Sequence, residues 1–150
     1  MIIGLISDTH GSLSNEALHA LRGADHILHA GDIGGAAILE QLATLAPVTA
    51  VRGNTDGGSW AAALPPTDML ELGGKCFYLL HDPAALDLDP PAAGIDVVVS
   101  GHTHQATIAH AGGVLYFNPG SASQGRYGGS TSVGRITIDD TGLHPRIIAL

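Results

Sequence analysis

Five apolar segments of this chain each run directly into a polar residue able to hold a metal ion. Ile2–Ser7 leads to Asp8-Thr9-His10, His26–Ala30 to Gly31-Asp32, and Val48–Arg52 to Gly53-Asn54. Cys76–Leu80 leads to His81, and Asp96–Ser100 to Gly101-His102-Thr103-His104. Short apolar runs bounded by turn residues read as buried strands. In open α/β sheets, ligands bind outside the carboxyl ends of the strands. The pattern therefore predicts that Asp8, His10, Asp32, Asn54, His81, His102 and His104 converge on one site. The glycines at 31, 53 and 101 are expected to turn the chain sharply and bring the next side chain inward. The pairs Asp8/His10 and His102/His104, spaced i, i+2, would point to one side of an extended chain.

The intervening sequence predicts how those strands are connected. Ser14–Leu21 reads as helical, with Ser12 or Ser14 as its cap. Ala36–Leu45 has helical apolar spacing at Ile38, Leu39, Leu42 and Leu45. Strand and helix in alternation argue for βαβ units and a parallel sheet. Met69–Leu72 and Cys76–His81 flank Gly73-Gly74 as a hairpin, and 82–94 is expected to be a loop with at most a short helix. Asp96–Ser100, Thr107–His110, Val114–Asn118, Val133–Ile138 and Arg146–Leu150 are further strand candidates. With 150 residues and no linker or repeat, residues 1–150 read as one domain, a two-sheet sandwich with helices outside. At 45% hydrophobic but 4% aromatic residues, its core must be aliphatic.

Charge narrows the partners. The formal net charge is −8 and the six Lys and Arg are scattered, which argues against a long nucleic acid as ligand. An anionic substrate would have to be met by bound metal instead. The single cysteine, Cys76, excludes an intramolecular disulfide and a Cys-based zinc site, and it reads as a small hydrophobe. Met1-Ile2-Ile3-Gly4 reads as a strand without a basic leader, and no apolar run approaches membrane-spanning length. A cytoplasmic protein with no membrane partner is the expectation.

The donor set is carboxylate, amide and imidazole without thiolate. Such sets suit Mn, Fe, Zn, Co or Ni better than Mg or Ca alone. Seven donors exceed what one four-coordinate zinc takes, so two divalent ions are expected. Paired ions roughly 3.5–4 Å apart suit in-line phosphoryl displacement, and a carboxylate bridges them readily. Two such ions, two carboxylates and one hydroxide leave about +1, enough to draw a phosphate into an acidic protein.

Asp8-x-His10, Gly31-Asp32, Gly53-Asn54, His81 and Gly101-His102-Thr103-His104 resemble the ordered motifs of the calcineurin-like metallophosphoesterases. The 21-residue gaps between His10 and Asp32, and between Asp32 and Asn54, are similar to the family's spacing. Asn118-Pro119-Gly120-Ser121 resembles a motif of its small bacterial and archaeal phosphodiesterase branch. The resemblance implies a four-layer α-β-β-α sandwich. It also implies that Asp8, His10 and His104 bind one metal, that Asn54, His81 and His102 bind the other, and that Asp32 bridges. Mn would be the first choice of ion, with Ni, Co, Zn, Fe or Mg as others. A metal-bridging hydroxide would attack phosphorus, with Asp32, Asn54 and His102 catalytic and Asn54 also touching substrate. The implied substrate is a small phosphodiester or monoester, and members often self-associate. The competing reading is a non-catalytic protein-interaction scaffold, a use of this fold resembling the retromer subunit.

The chain departs from the family at three places. Thr55 stands where His or Cys often follows Gly-Asn, so the usual proton donor to a leaving group is missing. Asp82-Pro83 follows His81 in place of Gly, and the stretch from His81 to Gly101 is short. Among the remaining residues, Arg126 is a candidate phosphate clamp with loop solvation as the alternative. His29 either supports the ligands from behind or is a hydrogen-bonded strand histidine, Asp56 is expected to bond loop backbone, and Trp60 to anchor core or lid.

Overall fold

In a computed structural model, which describes residues 1–124 and 129–150, the apolar run Ile2–Ile6 becomes β1, the central strand of a five-stranded sheet. It is apolar throughout because both of its faces are covered. Ile3 and Leu5 face a second sheet, while Ile6 faces the helices. β1 pairs in parallel with β2 (His26–His29), and β2 pairs in parallel with β3 (Val48–Ala50). The crossovers are α1 (Asn15–Leu21) and α2 (Ala36–Ala43). Ser14 is the cap of α1, its side chain accepting from Ala17 N at 3.1 Å.

A single turn, α3 (Ser59–Ala62), precedes the hairpin of β4 (Thr67–Leu72) and β5 (Lys75–Leu80). The second sheet continues with β6 (Val97–Val99), β7 (Thr107–Ala111) and β8 (Val114–Asn118), in the order β4-β5-β6-β8-β7. The chain returns to the first sheet as β9 (Ser132–Asp139) and β10 (Gly142–Ala149), giving β10-β9-β1-β2-β3. β10 begins four residues before the predicted strand because Pro145 is tolerated there. On an edge strand its missing N–H breaks no ladder bond. α3 was not foreseen; one helical turn carries too little periodicity to read, yet it seats Trp60 against the helix-side core.

Three apolar layers hold the molecule together. Between the sheets, Leu5, Leu28, Phe77, Leu79, Phe117 and Ile136 are almost fully buried, each burial contributing about 1.5–3 kcal/mol. Outside the first sheet, Leu21, Ile27, Ile38 and Leu42 join α1 and α2 to the strands. Outside the second, Tyr78, Leu80 and Val98 are covered by Leu86, Leu88 and a single 3-10 turn, Pro83–Ala85. The α-β-β-α order is kept, with the last layer thinned to that turn and its loop.

Candidate metal centre

The seven predicted donors meet at one end of the sandwich, where β1, β2, β3, β5 and β6 finish. Asp8 is fully buried. Its Oδ2 accepts from Ser7 Oγ at 2.7 Å and from His102 N at 3.1 Å. Among the described residues, its Oδ1 accepts no hydrogen bond. That oxygen lies 3.2 Å from His104 Nε2, 3.7 Å from His10 Nε2 and 4.0 Å from His81 Nε2. Leaving a buried acceptor without a donor costs about 1–3 kcal/mol, and more if it is charged. Imidazole nitrogens arranged around such an oxygen form a donor set that fits a cation.

The other donors repeat the theme. Asp32 Oδ2 is 3.2 Å from His81 Nε2 and 3.8 Å from His10 Nε2, so this carboxylate faces both histidine groups. His10 and His104 bring their Nε2 atoms to 3.4 Å, and the two rings meet edge-on. His102 Nδ1 lies 3.2 Å from Asn54 Oδ1 and 3.3 Å from His81 Nε2. His81 settles the proton question locally. Its Nδ1 faces the carbonyl of Ala30 at 2.8 Å, which can only accept, so Nδ1 carries the proton. The other ring nitrogen, Nε2, is aimed at a carboxylate, an arrangement that a cation between them makes favourable. Asp8-His10-His104 and Asp8-Asp32-His81 each gather ligand atoms within 4.8 Å of one another. The site thus holds two donor clusters with carboxylates between them, and its chemistry suits divalent metal.

Backbone geometry at the strand ends explains the convergence, and it corrects the expected extended conformation. Asp8, His10, Asp32, His102 and His104 all have positive φ, from 46° to 70°. They are the non-glycine residues in that region among those described, and all are predicted ligands. Left-handed backbone costs on the order of 1–3 kcal/mol per residue and gathers at functional sites. The intervening Thr9 turns inward instead of alternating out: it is fully buried and donates to Ile33 O at 2.7 Å. Of the three glycines expected to turn the chain, Gly31 has a left-handed φ, at 99°. Gly53 and Gly101 are needed for another reason. A Cβ at Gly53 would strike Asp32, and one at Gly101 would strike Ser7 Oγ and lie 2.7 Å from Asp8 Oδ2.

Supporting residues then fix the loops. Asp56 does what was expected of it, accepting from Ile33 N at 2.9 Å, Gly34 N at 3.1 Å and Gly53 N at 2.9 Å. Thr55 holds Asp32: its N–H donates to Oδ1 at 3.0 Å. Burial raises the Asp32 pKa, but the Thr55 backbone and side-chain hydrogen bonds, with His81 and His10 nearby, outweigh it and hold the group below its usual value. His29 is fully buried behind the site. Gly31 N donates to its Nδ1 at 3.1 Å, and Thr9 Oγ1, whose proton goes to Ile33 O, accepts from its Nε2 at 2.9 Å. The ring is thereby fixed neutral. Burial, then the nearby His81, lowers its pKa to about 3.

The Asn118–Ser121 motif proves to be a clip between ligand loops. Asn118 Nδ2 donates to Gly101 O at 2.8 Å, and its Oδ1 accepts from Gly120 N at 2.9 Å. Ser121 Oγ and Ser123 Oγ both donate to Asp8 O at 2.8 Å. Ser7 and Ser123 had drawn no attention in the sequence, where a serine at a strand end carries no signal of its partner. Asp82, in place of the family glycine, caps the 3-10 turn through Ala84 N at 2.9 Å and stands 3.8 Å from His102 Nε2. His81 keeps its place regardless. Arg126 lies outside the described residues. Beside Asn54 and His81 a cavity of about 270 Å³ opens, lined also by Arg52, Leu80 and Asp82.

Residues 1–141 match the calcineurin-like phosphoesterase superfamily domain. A probable metallophosphoesterase of Methanothermobacter thermautotrophicus is 35% identical over 160 residues, spanning 99% of this chain and 92% of that protein. The structure of an archaeal phosphodiesterase superposes with a TM-score of 0.84 at 26% identity, covering 100% of both chains. Vps29 of Entamoeba histolytica, complexed with Zn2+, superposes with a TM-score of 0.80 over 99% of both chains, a likeness of fold at 22% identity.

Proposed function

This chain belongs to the calcineurin-like phosphoesterase superfamily, and from that premise we propose that it hydrolyses small phosphodiesters or monoesters, with two divalent cations, Mn first among them. The observation that carries the reading is the buried, unpartnered Asp8 Oδ1 ringed by imidazole nitrogens. Asp8, His10 and His104 would hold one cation and Asn54, His81 and His102 the other, with Asp32 shared. Bound there, such ions supply Lewis acidity and a nucleophile ionised near neutral pH. A non-catalytic scaffold, the alternative, has no use for an orphaned buried carboxylate oxygen and five strained donor residues.

The chain's own residues then do three things. Asn54 lines the cavity, and half-exposed His102 lies 3.2 Å from Asn54 Oδ1, so both would offer polar atoms to a phosphoryl oxygen. Thr55 and Ser7 hold the carboxylates in place and so preset the charge. The Thr55 hydroxyl, which also bonds Asp32, is a weak acid and so a poor proton donor to a leaving group. The reaction should therefore favour esters of acidic alcohols, aryl over alkyl.

The test is hydrolysis of a bis-aryl phosphodiester by chelator-treated protein, before and after addition of Mn, Ni, Co, Zn or Mg. Activity absent after chelation and restored by Mn supports the reading. Hydrolysis untouched by chelation, or no hydrolysis of any mono- or diester with any ion, overturns it.

A further inference from the structure

A second cavity, of about 580 Å³, lies on the helix side of the first sheet between α1 and the edge strand β10. None of the seven donors lines it. Arg22, Arg135 and Arg146 do, which is half of the six Lys and Arg in a chain of net charge −8. Glu16 is the acidic side chain among the lining residues.

The arginines are placed against their own electrostatic preference. Arg135 and Arg146 are direct register partners across β9 and β10, so both project from the same face at one level. Like charges directly opposite on neighbouring strands destabilise the pair. Among the described residues, none of the three arginines makes an ion pair. Arg135 Nη2 instead donates to Arg22 O at 2.6 Å, which holds its guanidinium at the end of α1. Three guanidinium groups, without an ion pair among the described residues, outnumber Glu16 in a concavity shared with Ala20, Ile148 and Leu150. The volume falls within the usual range for small-molecule sites, about 300–1,000 Å³.

We propose that this groove is a second ligand site, separate from the metal centre, for a phosphate group carried on a small apolar body. Guanidinium forks match phosphate oxygens two at a time, and an anion between Arg135 and Arg146 removes their repulsion. The aliphatic side chains receive the rest of the ligand.

Phenylphosphonate, which no phosphoesterase can hydrolyse at its P–C bond, is a suitable probe. The full chain, stripped of metal so that the other site is not competing, is titrated and followed by ¹H–¹⁵N NMR. Saturable shifts are expected at Arg22, Arg135, Arg146 and Ala149, including the arginine Nε–H signals. Inorganic phosphate alone should bind the same residues more weakly; if it binds as tightly, the apolar part of the proposal falls. Arg146→Gln should weaken phenylphosphonate by at least ~10-fold while Mn-dependent hydrolysis is unchanged. Arg146→Lys, which keeps charge and fold, should lose affinity through the missing fork. Shifts confined to the loops of Asp8 and His102, or equal affinity in both variants, would overturn the assignment. Saturation by hexaglutamate but not by phenylphosphonate would also overturn it, making the groove a face for acidic protein segments.

Discussion

Asp32 shows how much one side chain is asked to do. Its Oδ1 is fixed by Thr55 while Oδ2 faces His81 on one side and His10 on the other. Replacing it with Asn keeps the shape but removes the charge shared between two donor clusters. Asp32→Asn should lower kcat/KM for an aryl phosphodiester by ~10²–10³-fold or more, the scale of losing a principal electrostatic element. Steady-state kinetics at saturating Mn checks this, and near-wild-type activity would speak against a shared carboxylate. Thr55 offers the opposite experiment. Its backbone N–H survives substitution, so Thr55→His adds a proton donor beside Asn54 without removing that bond to Asp32. Alkyl phosphodiesters should gain up to ~10²-fold and p-nitrophenyl esters little, since general acid catalysis helps most where the leaving group is poor. Equal effects on both ester types would show that leaving-group protonation is not what Thr55 lacks.

At the scale of elements, the site is a set of strand ends tied to one another by short polar clips. The clip of widest reach is the turn after β8, where Asn118 grips the loop of Gly101 and Ser121 grips Asp8. Asn118→Ala should cost about 1–3 kcal/mol of stability through unpaired buried groups, and 10–100-fold in metal affinity through loosened ligands. Thermal unfolding and metal titration of the variant read the two effects separately. Much of this level was legible beforehand. β1, β2, β3, β5 and β6 could be read because apolar runs stop at a polar residue, and that same boundary marked all seven donors. Left-handed φ at Asp8, His10, Asp32, His102 and His104 was not legible, because local preference for Asp or His says nothing of a turn imposed by partners distant in sequence. β10 was read short for a related reason: Pro145 looks like a stop until its position on a sheet edge is known.

Over the whole molecule, acid is the weakness that the architecture builds in. His29 sits fully buried with its pKa lowered to about 3, against 6.5 when exposed. Between those values the unfolded chain binds a proton that the folded chain refuses. Stability from this group is therefore intact above pH 6.5 and is lost by about 1.4 kcal/mol for each unit that pH falls toward 3. The lowered pKa of Asp32 acts in the same direction at lower pH still, its contribution being lost as pH falls through the folded value. Denaturant midpoints of metal-free protein from pH 7 to 4 should fall accordingly, and His29→Gln should flatten that slope by about one proton. An unchanged slope would mean that His29 titrates normally in the fold. The overall plan, two sheets with helices outside, followed from alternating apolar and helical segments, whereas the thin outer layer over Tyr78 and Val98 depended on packing that no local pattern records. What the plan achieves is to bring two clusters of carboxylate and imidazole donors together at one end of the sandwich. The most direct test is a count of tightly held Mn ions per chain by calorimetric titration and elemental analysis. Two ions per wild-type chain, falling to one or none in Asp32→Asn, is the predicted result. A single ion in the wild-type chain, or two held with undiminished affinity in the variant, would contradict the account.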